Sequence, residues 1–340
     1  MINITQEEIM KNWQGDINQP VVSVRCITYN HENYIAQALD GFLMQKTNFP
    51  FEVIVHDDAS PDRTADIVRE YEKKYPAIIK AIYQTENQYS KRDGTIERIL
   101  NEACKGKYIA LCEGDDYWID ENKLQMQVDV MEENPQVTIT YCRVQSFEKT
   151  QDSFTIPYDG TISEGIVGLL EFTKEEFERG HWTFHTSSFC IRANILNDYI
   201  DHSADLFKHF PYGDMPTQLY ALCRGQGYFI DKIMSKYRLF SGGYNSYMLS
   251  HPKENASAET KLLTALSEFD EYTEYKYHDQ IQCRIKNAYI KIAILTNERM
   301  ALKSCLTKKE YVRFSLCTYP LFKIKCFVKF FIPKYRARKK

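Results

Sequence analysis

Three observations predict an α/β protein with a mostly parallel sheet flanked by helices. Short β-branched runs alternate with segments of helical spacing through the first 145 residues. The intervening helical patterns run to ~10–15 residues, the length of a crossover between parallel strands. Three successive strand ends carry polar groups: Thr28-Tyr29-Asn30-His31, His56-Asp57-Asp58 and Glu113-Gly114-Asp115-Asp116. The ligand crevice of such a sheet lies beyond the carboxyl ends of its strands, so these clusters are expected to converge.

The elements follow in order. Val21–Ile27 is the first strand, and Asn33–Met44 sets Tyr34, Ile35, Ala38, Leu39 and Phe42 at helical spacing. Phe51–Val55 is the second strand. Ser60 is an expected N-cap, with Pro61 at the first position of a helix that stops before Pro76. Ile78–Tyr83, Lys107–Cys112 and Val137–Cys142 read as further strands, with helices at Ile96–Cys104 and Leu124–Met131. Residues 146–250 mix short strand-like pieces with glycine turns, a continuation of the same domain. Helical patterns then cover Ala256–Leu266 and Gln280–Leu302. The expected division is a first domain over 1–250 and a helical C-terminal region over 251–340.

Composition bounds the function. The 340 residues are 44% hydrophobic and 26% charged with a net charge of −3, values of a soluble globular protein. The N-terminus lacks the basic and apolar regions of an export signal, and no run has the ~18 apolar residues of a membrane span. Ten scattered cysteines, several inside strand-like runs, suggest a reducing compartment, so a cytoplasmic location is expected.

The segment KGKYIALCEGDDYWID leads an apolar run into Glu113, Asp115 and Asp116. Crowded carboxylates in a cleft take up protons unless a cation compensates. Oxygen ligands favour Mg²⁺ or Mn²⁺, and Mg²⁺ keeps waters and phosphate oxygens in its shell. A second reading fits as well: an Asp-rich cap, with Asp116 or Asp120 satisfying a helix that starts near Glu121. Gly114 is expected to let the backbone turn. Asp57, at a strand tip, can accept a ring N–H from a pyrimidine base.

The stretches TYNHENYIAQALDGFLMQ, FEVIVHDDASPDRTADIVREY and ACKGKYIALCEGDDYWIDENKLQMQVDVME resemble the inverting, nucleotide-sugar-dependent glycosyltransferases of family 2. The resemblance is strong over residues 20–145 and weaker over 180–245. It implies the GT-A fold, a Rossmann-like sheet here extended by C-terminal helices. Carried over by residue, Thr28 and Asn30 resemble first-strand nucleotide contacts, and Asp57, with Asp58 beside it, the partner of uracil. Asp115 resembles the last carboxylate of an Asp-any-Asp metal motif. Glu113 stands where that motif begins with Asp, and Gly114 lies between them. Arg92 either approaches the phosphates or is a solvated surface residue.

Inverting transfer needs a general base within ~2.6–3.2 Å of the acceptor hydroxyl. The resemblance assigns that role to Asp214, before the helical run Met215–Cys223; capping the same helix is the structural alternative. His185, in FHTSSFCIR, resembles an acceptor-pocket residue, and Trp118 either offers a sugar ring an apolar platform or packs. Arg238, in YRLFSGGYNS, resembles a residue near the diphosphate, and Phe240 stands where the family often has histidine.

After Glu310 there are nine Lys and Arg and no acidic residue. Basic charge beside the apolar stripe of Tyr319–Lys340 suits an anionic membrane surface, which would make the protein peripheral on the inner face of the cell membrane. No nucleic-acid-binding module is present in the sequence. The expected protein is a metal-dependent (Mn²⁺ or Mg²⁺) transferase. It would move a hexose or N-acetylhexosamine from a UDP-sugar to a glycan or lipid-linked saccharide in cell-surface polysaccharide synthesis. A dTDP- or GDP-sugar donor, or a non-catalytic scaffold of the same fold, are the alternatives.

Overall fold

The structure is a computed structural model that describes residues 2–91, 93–148, 154–155, 161–180, 183–203, 207–239 and 244–296. Arg92, Phe240 and the basic tail therefore lie outside the described residues. The elements are α1 (Gln6–Met10), β1 (Val22–Thr28), α2 (Ile35–Leu43), β2 (Phe51–Asp57), α3 (Thr64–Lys74), β3 (Ile79–Tyr83), α4 (Thr95–Ala103) and β4 (Tyr108–Leu111). There follow β5 (Tyr117–Trp118), α5 (Lys123–Glu133), β6 (Val137–Glu148), β7 (Phe154–Thr155), β8 (Gly165–Val167), α6 (Leu169–Thr173), β9 (Cys190–Arg192) and α7 (Ala193–Asp198). The remainder is α8 (Asp214–Arg224), β10 (Gln226–Leu239), α9 (Tyr244–Ser250), α10 (Pro252–Tyr272) and α11 (His278–Leu295). The chain divides into two compact units, Met1–Glu171 with Thr183–Tyr247 and Phe172–Trp182 with Met248–Lys340.

The first unit holds the sheet, in the order β3-β2-β1-β4-β9-β6-β10-β5, with β7 on β6 and β8 on β10. The half built by crossover helices, β3-β2-β1-β4, is parallel as expected. The other half is not. β9 inserts antiparallel between β4 and β6, and β5, β7 and β8 also pair antiparallel, although β6 and β10 run parallel. The sheet is therefore mixed, which corrects the mostly parallel expectation. A strand of three residues such as β9 shows no periodicity to read, and only its partners reveal where it goes.

Burial follows the pleat. Val22, Val24 and Cys26 of β1 and Val53 and Val55 of β2 join Ala38, Leu39 and Phe42 of α2 and Val68 of α3 in the main core. On the opposite face Ile54 meets Ile96 and Leu100 of α4, with Ile27 packed against them. Helix α3 begins at Thr64 rather than at Pro61. Ser60 does not cap it, because its hydroxyl accepts the Asn30 backbone N–H at 3.0 Å and fastens the tip of β1 to the loop after β2. Asp62 instead receives the Thr64 N–H at 3.0 Å and the Glu32 N–H at 3.0 Å.

The second unit is helical over its described residues. Helices α10 and α11 enclose Glu259, which is fully buried and accepts from Lys291 at 2.6 Å and from Arg284 at 3.3 Å. Such a pair is costly to break, since one removed partner leaves a buried charge.

Candidate functional site

The carboxyl ends of β1, β2 and β4 meet as expected. Thr28 is paired with Asp57 in the parallel register, and the β4 chain continues beyond Leu111 along β1, with Gly114 N–H on the Ile27 carbonyl at 2.9 Å. Gly114 is required for close approach rather than for a special turn: a Cβ there would lie 2.6 Å from Thr28 Oγ1 and 3.1 Å from His31 Nδ1. Asn30 sits in the left-handed region at φ 58°, a conformation that asparagine tolerates better than most residues.

Asp57 is buried, with Oδ2 accepting the Ser60 N–H at 3.2 Å and Oδ1 without a hydrogen-bond partner. Asp58 differs. Its two carboxylate oxygens accept the Gln88 N–H at 2.8 Å and the Tyr89 N–H at 3.0 Å, so it clamps the loop after β3.

Glu113 is pushed up to about 8, first by burial and then by the Asp115 carboxylate with a weaker push from Asp214, against a hydrogen bond from its own backbone and a smaller pull from Arg25. Asp115 keeps some of its side chain open, 14%, and lies 4.0 Å from His31 Nε2, which is equally exposed. The His31 imidazole is held below its ordinary value by burial, so it stays neutral beside that carboxylate at neutral pH. Asp116 faces inward. It accepts the Arg238 N–H at 2.9 Å, and burial raises it well above the usual carboxylate range. Asp120 accepts the Asn122 N–H at 2.8 Å ahead of α5 and pairs with Lys232 Nζ at 2.6 Å, and α5 takes no side-chain cap, so the capping reading holds for neither Asp116 nor Asp120.

Arg238, from β10, donates to the Asp115 carbonyl and to Gln37, and lies over the rings of Tyr117 at 4.6 Å and Tyr34 at 5.0 Å. It anchors the acidic loop from behind. Asp214 begins α8, with Oδ1 accepting the Met215 N–H at 2.8 Å. Burial raises it, while the Thr186 hydroxyl hydrogen-bonds to it and pulls the other way.

Trp118 is not a sugar platform. The ring is 1% exposed, packs edge-on against Phe42 at 4.8 Å, donates to the Ser187 carbonyl at 3.0 Å and lies under Lys123 Nζ at 4.2 Å. Both faces are occupied by protein. His185 accepts the Ser187 N–H on Nδ1 at 3.2 Å and lies 4.3 Å from the Tyr237 ring, capping a short turn. Burial drives its imidazole down to about 4. Between pH 6.5 and 4 the unfolded chain binds a proton here that the folded chain does not, so stability falls as pH drops through that window. His185→Asn is expected to remove up to about 3 kcal/mol of that loss. Urea unfolding at pH 7 and pH 4.5 measures it; His31 and His56, also lowered by burial, retain their share.

Sequence reasoning gave no role to Arg25, Gln37, Tyr117 and Thr186, and named His31 only within the strand-end cluster. Arg25 had a signal, since it is the one charged residue in VVSVRCI.

The Glycosyl transferase family 2 model matches residues 23–199, just over half of the chain. The chain belongs to glycosyl transferase family 2. Among its relatives, the uncharacterized protein Rv1520 of Mycobacterium tuberculosis is 43% identical over 120 residues, 35% of this chain and 34% of that protein. TuaG of Bacillus subtilis, provisionally assigned to teichuronic acid biosynthesis, is 31% identical over 170 residues, 47% of this chain and 62% of TuaG. The chain thus spans about a third of the first of these relatives. Staphylococcus aureus TarS bound to UDP-GlcNAc superposes with a TM-score of 0.59 at 19% identity, over 84% of this chain and 79% of that one. The mannosyltransferase PcManGT of Pyrobaculum calidifontis, bound to GDP-Man and Mn²⁺, gives 0.52 at 16% identity, over 95% and 84%. These likenesses show a shared GT-A-like fold. No helix among the described residues is long and apolar enough to cross a membrane.

Proposed function

We propose that this family 2 member is a metal-dependent inverting glycosyltransferase that moves a hexose or N-acetylhexosamine from a UDP-sugar to a cell-surface glycan. The observation that carries the reading is the crowding at one rim. Burial first, then Asp115 and more weakly Asp214 from a different element, raise Glu113, and carboxylates crowded in this way are stabilised by a cation. The donor set is oxygen only, which fits Mg²⁺ or Mn²⁺. Asp115, with Glu113 beside it, would hold the ion. The ion would supply positive charge to the departing diphosphate.

The remaining steps belong to the chain. Asp57, with Thr28 and Asn30, binds the nucleoside, and Asp58 holds the loop that walls it. Arg238 fixes the loop bearing Asp115. Asp214 takes the proton from the acceptor hydroxyl as that oxygen bonds the anomeric carbon from the side opposite the leaving group. The carbon–oxygen bond to the diphosphate breaks, its electron pair leaves with UDP, and the anomeric configuration inverts. A base raised by burial is better matched to a neutral operating pH than an ordinary aspartate. His185 lines the acceptor side in this proposal, and the domain 1–250 contains both substrates. The tail after Glu310 carries the proposed membrane contact.

A donor-hydrolysis screen tests the reading without an acceptor. Mn²⁺-dependent release of UDP from a UDP-hexose or UDP-N-acetylhexosamine is the expected result. Release from a GDP- or dTDP-sugar alone would replace the donor, and silence from every donor in a folded sample would favour the scaffold.

A further inference from the structure

His31 is held from several sides at the carboxyl edge of β1. Its backbone N–H donates to Thr64 Oγ1 at 2.8 Å, and its carbonyl accepts the Tyr34 and Ile35 N–H groups at 2.8 and 2.9 Å, where α2 begins. On the ring, Nδ1 lies 3.2 Å from Thr28 Oγ1, and a Cβ at Gly114 would come within 3.1 Å of the same nitrogen. The glycine of Glu113-Gly114-Asp115 thus lets the imidazole settle against the acidic loop. Nε2 lies 4.0 Å from Asp115 Oδ2 and makes no hydrogen bond to any described residue. The gap is not sealed, since each side chain keeps 14% of its surface open.

That separation is the informative quantity. A hydrogen bond between the two groups would close to about 2.7–3.2 Å. Octahedral Mg²⁺, with bonds of about 2.0–2.1 Å, sets adjacent ligands about 3 Å apart and opposite ones about 4 Å apart. The 4.0 Å between His31 and Asp115 is too long for a direct bond and falls within the span of one ion. The Thr28 contact supplies what a histidine ligand further needs. A metal-bound imidazole keeps its other ring N–H on a hydrogen-bond acceptor, which fixes the tautomer. With Nδ1–H donating to the Thr28 hydroxyl, the Nε2 lone pair is left on the side of Asp115.

We propose that His31 is a nitrogen ligand of the divalent ion, which it shares through Nε2 with Asp115. The inference rests on the metal-dependent reading above and adds one nitrogen to its carboxylate donors. The described residues contain no cluster of three His, Cys, Asp or Glu side chains suited to a metal, so diphosphate oxygens and water complete the shell. Imidazole suits first-row transition metals, whereas Mg²⁺ favours oxygen, so His31 tilts the site toward Mn²⁺.

The test is pulsed electron paramagnetic resonance of Mn²⁺ with UDP and the full chain, unaltered and as His31→Gln, at about pH 7.5, where an ordinary imidazole is neutral. Nitrogen modulation from a bound imidazole is expected in the unaltered complex and absent from His31→Gln. Calorimetric titration runs beside it. His31→Gln should cut the gain in UDP affinity that Mn²⁺ provides by about 10–100-fold, the loss that follows removal of even an outer partner of a metal ligand. Metal-free UDP affinity should not change, and the preference for Mn²⁺ over Mg²⁺ should shrink. A Mn²⁺–UDP complex of the unaltered chain without nitrogen modulation overturns the inference, as does modulation that persists in folded His31→Gln. An equal loss of UDP affinity with and without Mn²⁺ also overturns it, since His31 would then touch the nucleotide rather than the ion. Should His31→Gln not fold, His31→Asn takes its place, and an unaltered spectrum without nitrogen decides against the inference by itself. If Mn²⁺ adds nothing to UDP affinity in the unaltered chain, the metal-dependent reading falls together with this inference; if Mn²⁺ adds affinity without nitrogen modulation, the inference alone falls.

Discussion

Asp214→Asn is expected to lower sugar transfer by about 10²–10⁴-fold, the usual contribution of a general base, while UDP-sugar affinity stays close to wild type. The amide is nearly the same size and keeps an oxygen to accept the Met215 N–H that Asp214 Oδ1 accepts at 2.8 Å, so α8 should start as before. What is lost is the capacity to take a proton. Steady-state transfer measured beside donor titration separates the two. Full transfer in Asp214→Asn would move the base elsewhere, whereas a parallel loss of donor binding would make the residue structural. A capping aspartate predicts neither the split nor its size, so the experiment also decides between the two readings that the helix start leaves open.

The second large effect concerns Asp115. Asp115→Asn is expected to abolish most of the gain in UDP affinity that Mn²⁺ provides, about 100-fold or more, and to leave the metal-free affinity unchanged. Removing one carboxylate also relieves Glu113, which Asp115 helps push up to about 8. The substitution should therefore not destabilise the fold, and unfolding curves run alongside check that. A variant with undiminished Mn²⁺ enhancement would show that the ion is held by other groups. The two substitutions act on different halves of the reaction, one on the departing diphosphate and one on the incoming hydroxyl.

Much of this site was legible in the chain. Asp57, Glu113 and Asp115 sit where apolar runs end, and a strand end at the crevice edge is a position that pattern alone can locate. Trp118 was not legible. Its place among acidic residues suggested a ligand platform, but the indole is enclosed by Phe42, Lys123 and the Ser187 carbonyl, and of these only Lys123, five positions on, is near it in sequence. Ser60 misled for a similar reason, since its hydroxyl meets Asn30 across the crevice rather than the helix that follows it. Gly114 shows a milder version: a glycine was expected for its backbone freedom and is needed for the lack of a Cβ against Thr28.

Local pattern determined the alternating half of the protein: the strands from β1 to β4, the helices between them, and the acidic residues at their carboxyl ends. Those features depend on neighbours a few positions apart, where hydrophobic periodicity and turn chemistry act. Tertiary structure decided the antiparallel insertion of β9, the anchoring of the Asp115 loop by Arg238 from β10, and the burial of Arg25 Nε without a partner among the described residues. Each of these joins residues far apart in the chain or leaves one without a partner, and partnership across such distances is settled by packing, which no short stretch of sequence contains.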